Sequence, residues 1–255
     1  MLRYHALLAR VPEIAPADAF YCGRLGLSCT ALADGFRRAR DSADALLYLE
    51  VVAPAPGPVP DQARATATFL VGDIEKSTAA LVAAGVEFLQ PAPQHARSGL
   101  YIRFRDPFGN VHSLVQLREP PSFEAPRIHR TGIKIPIASV PAAKRLYGDA
   151  LGFAIESERH YPPLLPMIHR DGSPAFTVED KENWERDLRV RAPRYPDETG
   201  VVMVLETQDL AETRRELASR MPGLALTPAV PFALGQRMAL IDMAGLATEI
   251  WEIAR

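Results

Sequence analysis

The sequence predicts an α+β protein of four βαβββ modules, paired into two domains whose mixed, curved sheets surround cavities and carry their helices outside. Three observations predict it. The first is internal repetition. Residues 20–27 read Phe-Tyr-Cys-Gly-Arg-Leu-Gly-Leu and residues 146–153 read Leu-Tyr-Gly-Asp-Ala-Leu-Gly-Phe, so that Tyr21/Tyr147, Leu25/Leu151 and Gly26/Gly152 all lie 126 apart. The second is a further set of landmarks with its own offset. Asp106-Pro107-Phe108-Gly109 matches Asp242-Met243-Ala244-Gly245, and the helix starts Asp73-Ile74 and Asp209-Leu210 share the same spacing of 136. The third is that each half divides again into two similar pieces. The growth in offset assigns about ten extra residues to the second copy, and the polar, proline-containing stretch 180–199 is their expected home, as a loop.

The elements follow in order. In the first module, 3–53, a strand precedes Pro16, which opens a helix running through Phe20 and Tyr21 to Gly26. Asp34-Gly35 then marks a hairpin turn. In the second, 64–118, the alternation from Arg64 to Val71 reads as a strand. Asp73 caps a helix with Glu75 and Lys76 in its first turn. Ile74, Leu81 and Val82 share one helical face, and Gly85 ends the helix. Three strand-like runs follow at 86–90, 99–105 and 111–117, the last two joined by the turn at 106–109. The third and fourth modules, 128–180 and 200–253, repeat this order, with Asp171-Gly172 as the hairpin turn of the third. One module covers one face of its sheet with its helix and leaves the other bare, so two must close around a shared concavity. The expected domains are 1–119, holding modules 3–53 and 64–118, and 126–255, holding modules 128–180 and 200–253. The link lies around Pro120, Pro121 and Pro126.

Composition narrows the function classes. The chain has 255 residues, 47% hydrophobic and 24% charged, and a net charge of -2 from 29 Lys+Arg against 31 Asp+Glu. Without a basic stripe or acidic tail, nucleic acid is excluded as a partner. No apolar run approaches the ~20 residues that span a bilayer, and the amino-terminal residues lack a signal core. The expectation is a cytoplasmic protein, monomer or homodimer, with no membrane partner. Two cysteines exclude a disulfide framework and a zinc ribbon, and Cys22 and Cys29 read as free thiols, Cys22 inert within the first helix.

The ordered set of a first helix ending Phe-Tyr-x-x-x-Leu-Gly-Leu, a second helix, then Asp-Pro-Phe-Gly-Asn before the last strand resembles the glyoxalase/bleomycin-resistance/dioxygenase family, also called the vicinal oxygen chelate superfamily. The resemblance covers nearly the whole chain, twice over. It implies paired βαβββ modules in glyoxalase-like domains, each around a cavity. Members include metal-dependent lyases, isomerases, extradiol dioxygenases, glutathione transferases and metal-free drug-sequestering proteins, so the fold leaves the function open. It also implies where ligands of a metal stand, on the first and last strands of the modules. Those positions fall at Ala6, Gly132, Thr66 and Val202 on first strands, and at Ser113 and Glu249 on last strands, with Glu50 and Glu179 on the last strands of the first and third modules. The first cavity is then expected to hold Ala6, Glu50, Thr66 and Ser113, and the second Gly132, Glu179, Val202 and Glu249. Neither offers the histidine-rich set that a catalytic divalent ion wants, so no cofactor is favoured. The alternative is a divalent metal on His5, Glu50 and Glu249, which requires a bulge near Pro12 to turn His5 inward.

Glu249 is the leading catalytic candidate. On the alternating strand it shares a face with Trp251 and Ile253, where desolvation would make it a general base. The competing reading is a carboxylate inherited from a metal-using ancestor. Glu179 and the rim histidine His169 complete the catalytic set. Tyr101 and Arg103 are expected to face the first cavity, the arginine ready for a carboxylate or phosphate. Arg37 and Arg40 face either a cavity or solvent. Glu50, Thr66, Ser113 and Trp251 complete the ligand-binding set, while His112 reads as structural and His129 as lying off the ligand position. The expected function is binding of a small organic molecule, anionic ones included, without a tightly held metal, as a sequestering protein or a cofactor-free enzyme. The alternatives are a divalent-metal-dependent lyase, isomerase or extradiol-type dioxygenase, and a degenerate self-association domain.

Overall fold

The computed structural model describes residues 2–41, 46–52, 64–96, 99–119, 126–135, 140–157, 159–160, 163–180, 200–242 and 246–254. Residues 181–199 of the loop expected at 180–199, and most of the link expected around Pro120 to Pro126, lie outside them; Asp180 ends a strand. The first module runs β1 (Arg3–Val11), helix α1 (Ile14–Ala17, continuing as a π-helix over Asp18–Arg24), β2 (Ser28–Ala33), β3 (Phe36–Arg40) and β4 (Leu46–Val51). The second runs β5 (Arg64–Leu70), α2 (Ile74–Ala83), the short β6 (Glu87–Phe88) and β7 (Gln94–Ala96), then β8 (Gly99–Arg105) and β9 (Val111–Leu117). The third runs β10 (Arg127–Ile135), α3 (Val140–Ala143, with a π-helix over Lys144–Ala150), β11 (Ala154–Ile155), β12 (Arg159–His160), β13 (Pro163–Ile168) and β14 (Pro174–Asp180). The fourth runs β15 (Gly200–Thr207), α4 (Leu210–Arg220), β16 (Ala225–Leu226), β17 (Val230–Phe232), β18 (Gly235–Ile241) and β19 (Ala247–Ile253).

The repeated motifs prove to be repeated local devices. In both copies the helix widens into a π-turn: Leu25 N donates to Phe20 O at 2.9 Å and Leu151 N to Leu146 O at 2.9 Å. The chain then leaves through Gly26 (φ 72°) and Gly152 (φ 83°), left-handed conformations that glycine adopts without steric cost. Asp73 caps α2 by accepting from Lys76 N at 2.9 Å, and Asp209 caps α4 by accepting from Glu212 N at 2.7 Å. A second orphan amide at each helix start is met from the last strand of the same module. Ile74 N donates to Gln116 Oε1 and Leu210 N to Glu252 Oε2, both at 2.7 Å.

The two kinds of landmark also touch one another. Tyr21 Oη donates to Asp106 Oδ2 at 2.7 Å and lies 3.0 Å from His112 Nε2, all three buried. Ala67 N donates to His112 Nδ1 at 3.3 Å, which leaves the imidazole proton on Nε2. Burial pushes the Asp106 carboxyl up, but the neighbouring imidazole of His112 and hydrogen bonds from His112, Asn110 and Tyr21 outweigh it and hold the pKa below the ordinary value. In the second half Tyr147 stands beside Asp242, and burial together with that carboxylate pushes its hydroxyl well above the usual range. The Tyr21–Asp106 bond thus pins the first helix of the chain to the last turn of the second module, whereas Tyr147 Oη is buried without a hydrogen bond.

Three expectations change. Val82 does not share the buried face of Ile74 and Leu81; it is 56% exposed, because one residue beyond Leu81 turns it past the edge of the apolar stripe. Cys22 and Cys29 are not free thiols but a disulfide joining the π-helix of α1 to β2, with Cα atoms 5.9 Å apart. The largest change is in module pairing. One nine-stranded sheet, called sheet A here, has the order β16-β18-β19-β15-β1-β4-β3-β2 with β17 on β18. The ten-stranded sheet B has the order β11-β13-β14-β10-β5-β9-β8-β6, with β12 on β13 and β7 on β8. The first module therefore shares its sheet with the fourth, and the second with the third, through antiparallel pairs of first strands, β1 with β15 and β10 with β5. Four-way similarity in sequence gives every module the same edge to offer, so repetition alone does not choose partners.

The helix-covered cores follow the chain halves instead. Phe20, Tyr21 and Leu25 pack with Phe69, Ile74 and Phe104, whereas Leu146, Tyr147 and Phe153 pack with Met203, Leu217 and Ile250. A third cluster, Ala6, Leu8, Phe36, Tyr48, Val202, Val204, Ala247 and Trp251, lies on the other face of sheet A. Alternation along each strand then assigns the faces: Leu7 and Ala9 go to the helices, Ala6 and Leu8 to the inner face.

Candidate functional site

The inner face of sheet A carries the densest chemistry among the described residues. Its floor is aromatic. Phe36 stacks on Tyr48 with ring centroids 5.6 Å apart, Tyr48 meets Trp251 edge-on at 4.9 Å, and Phe232 lies 4.7 Å from Trp251. Glu249 sits beside this floor with no exposed surface. Its Oε2 accepts from Trp251 Nε1 at 2.6 Å, and its Oε1 is buried with no hydrogen-bond partner. Burial raises the Glu249 pKa above the ordinary value; the Arg237 charge and the Trp251 bond oppose this without cancelling it.

Arg237, on β18 directly opposite Trp251, grips the carboxylate of Glu50 with both terminal nitrogens, at 2.7 and 2.9 Å. The same guanidinium lies 3.6 Å from Glu249 Oε2, and Arg10 Nε lies 3.7 Å from Glu50 Oε2. An internal cation thus stands between two of the expected ligand positions. The other two on this face, Ala6 and Val202, have no donor atom.

His5 reaches the inner face by a bulge, but not one near Pro12. The β1–β15 register shifts between Tyr4, opposite Leu205, and Ala6, opposite Val204, which makes His5 the extra residue. Its ring stacks on Tyr48 at 5.7 Å and approaches Trp251 at 6.0 Å. Nδ1 lies 3.1 Å from Glu206 Oε2, and Nε2 lies 3.2 Å from Tyr48 Oη. Burial lowers the His5 pKa, partly offset by Glu206. Burial raises that of Tyr48, opposed by Arg38 and Arg40. Both arginines alternate with Ala39 and so share the inner face of β3 with Phe36; the Arg38 Nε is buried without a hydrogen bond. Arg37 points to the helix side, where it pairs with Asp18 at 3.4 Å.

The structure brings His5, Glu50 and Glu249 onto one face, yet their donor atoms do not converge. Among the described residues the one group of three potential ligands within 4.8 Å of one another is Asp18, Cys22 and Cys29, whose sulfurs form the disulfide. His5 is committed to Glu206 and Tyr48, and Glu50 and Glu249 to Arg237. This donor set does not fit a divalent ion.

The remaining candidates belong to sheet B or to the seam between sheets. Thr66 and Ser113, expected beside Glu50, lie instead with Glu179 on sheet B, so Glu179 does not share a face with Glu249. Thr66 Oγ1 donates to Gly132 O at 3.3 Å, Ser113 stands opposite both Thr68 and Arg103, and Thr177 stands opposite Gly132. The Arg103 guanidinium lies 5.0 Å from the ring centre of Tyr101. Glu179 is opposite Lys134 as Glu50 is opposite Arg10. His129 is the extra residue of a second bulge, between Ile128 and Arg130, in the register position of His5. His169 stitches the β13–β14 turn to sheet A: its Nε2 accepts from Tyr4 N at 2.9 Å, and its Nδ1 lies 2.9 Å from Ser173 Oγ. Sequence reasoning missed Tyr48, Glu206, Arg10 and Arg237. Alternation around Glu50 could have found Tyr48, and alternation from Ala6 could have found Arg10; Glu206 needed the β1–β15 pairing and Arg237 the β18–β19 register.

Residues 3–114 match the model of the Glyoxalase/Bleomycin resistance protein/Dioxygenase superfamily. Over those residues the chain is similar to that superfamily, and the module pattern repeats through the second half. A candidate dioxygenase from Bacillus subtilis subsp. subtilis str. 168 is 14% identical with a TM-score of 0.68, over 97% of this chain and 84% of that one. Glyoxalase I from Zea mays is 12% identical with a TM-score of 0.66, over 98% of this chain and 92% of that one. At such identities the likeness is one of fold. No curated protein sequence matches the chain. No helix among the described residues is long and apolar enough to cross a membrane.

Proposed function

We propose that this protein binds a small, planar organic anion on the inner face of sheet A, without a tightly held divalent metal. The charge inventory of that face carries the reading. Arg10, Arg38, Arg40 and Arg237 stand against Glu50, Glu206 and Glu249, and burial biases Glu249 toward its neutral form. A net positive rim over Phe36, Tyr48 and Trp251 favours an aromatic or conjugated carboxylate, its plane on the rings and its charge on a guanidinium. Arg237 takes the electrostatic place of an ion between Glu50 and Glu249. On this reading the halves 1–119 and 126–255 are packing units, and the ligand lies between them.

Thermal shift with phenylacetate and its neutral amide tests the reading. The carboxylate is expected to raise Tm and the amide to leave it unchanged, with the response lost in Arg38→Gln. Elemental analysis of the purified protein should find no stoichiometric iron, manganese, nickel or zinc. Equal responses to acid and amide, or one metal per chain, would overturn it.

A further inference from the structure

Three features of the molecule lie apart from the Glu50–Arg237–Glu249 group: the Asp18–Cys22–Cys29 cluster, the buried Tyr21–Asp106 clamp and the hydrogen-bonded chain at His5. The first is closed by its disulfide, and the second is sealed in the helix-covered core. The third is partly open. Glu206 is 43% exposed and His5 13% exposed, so the chain runs from solvent down to the aromatic floor.

We infer that Glu206, His5 and Tyr48 form a metal-free proton relay, serving proton abstraction from carbon next to a carbonyl in the bound anion. This rests on the binding reading above and names its chemistry. The order carboxylate, imidazole, hydroxyl is set by the 3.1 Å and 3.2 Å contacts on the two nitrogens of His5. Glu206 accepts from Nδ1–H, which fixes the tautomer and leaves Nε2 to accept from the Tyr48 hydroxyl. The lone pairs of Tyr48 Oη are not used by His5, and Arg38 stands directly opposite Tyr48 on the neighbouring strand.

The step balances without an oxidant or reductant. The ligand C–H bond breaks and its proton passes to Tyr48 Oη, while the Tyr48 proton passes to His5 Nε2. The electron pair remains on the ligand as an enolate, beside the Arg38 charge, and the imidazolium pairs with Glu206. Reversal returns a proton to carbon. His5, as the extra residue of a bulge, can face inward together with Ala6, which regular alternation would forbid. The bulge is the structural device that makes the relay.

Phenylpyruvate is the probe: a carboxylate with an aromatic ring and an exchangeable C–H next to a carbonyl. Its binding is read by thermal shift and its hydrogen–deuterium exchange in heavy water by proton NMR. The full-length protein is expected to bind it and to accelerate exchange above buffer. Tyr48→Phe, which keeps the ring packing, and His5→Gln should each lower the maximal exchange rate on the order of 100-fold while still binding. Glu206, a positioning residue, should show a smaller loss of maximal rate in Glu206→Gln at unchanged KM. Binding without accelerated exchange, or exchange insensitive to Tyr48→Phe, overturns the relay and leaves the binding reading intact. Absence of binding overturns both.

Discussion

Sheets A and B repeat one module pattern, and their inner faces differ at matching positions. Where sheet A has Tyr48, sheet B has Thr177; for Trp251 it has Val115, for Glu249 Ser113, for Arg237 Tyr101, and for Val202 Thr66. What both keep is a glutamate opposite a basic residue, Glu50 with Arg10 and Glu179 with Lys134. The two sheets therefore share a backbone frame, with its caps, π-turns and bulged first strands, and differ in the side chains of one face. Large rings and buried charges accumulated on sheet A, small hydroxyls on sheet B.

That contrast can be broken by mutation. The largest effect is expected at the aromatic floor. Trp251→Ala should cost roughly 3–5 kcal/mol in urea unfolding, since it leaves a cavity among Phe36, Tyr48 and Phe232 and strips Glu249 of a bond, whereas Val115→Ala should cost about 1 kcal/mol. Equal costs would erase the distinction between the faces. Next is the internal cation. Arg237→Met leaves Glu50 and Glu249 facing each other in a largely dehydrated site and should cost about 2–3 kcal/mol, the partial exposure of Arg237 and Glu50 tempering the loss. Adding Glu249→Gln to that variant should recover part of it, and strict additivity would show that the two side chains do not communicate.

The smallest effect sharpens the comparison by its pH dependence. A Glu249 carboxyl raised above 4.5 binds its proton more tightly folded than unfolded. The stability this gives is complete below 4.5 and is lost as pH rises through the folded value. Glu249→Gln removes that titration. Its Tm relative to the natural chain should therefore be more favourable at about pH 8 than at about pH 4, while Ser113→Ala in sheet B should show no such trend.

Much of the frame was legible because it rests on local signals. Asp73 and Asp209 cap because a short carboxylate reaches an orphan amide, Gly26 and Gly152 sit where the backbone turns left-handed, and Asp106 organises its own turn by accepting from Phe108 N and Asn110 N. The candidate site was legible only in part. Alternation put Glu249 and Trp251 on one face, but the inward turn of His5 depends on a single inserted residue, and the grip of Arg237 on Glu50 joins strands 187 residues apart.

By itself the sequence determined the modules, their order, their turns and which side chains alternate along each strand, because these follow from steric preferences within a few residues. Tertiary structure decided which modules share a sheet, since equivalent edges are chosen between only by the total fit of both faces. That choice set Glu249 beside Glu50 and parted it from Glu179. It also decided that a guanidinium stands between the carboxylates, because that outcome depends on the distance between segments that chain order leaves free.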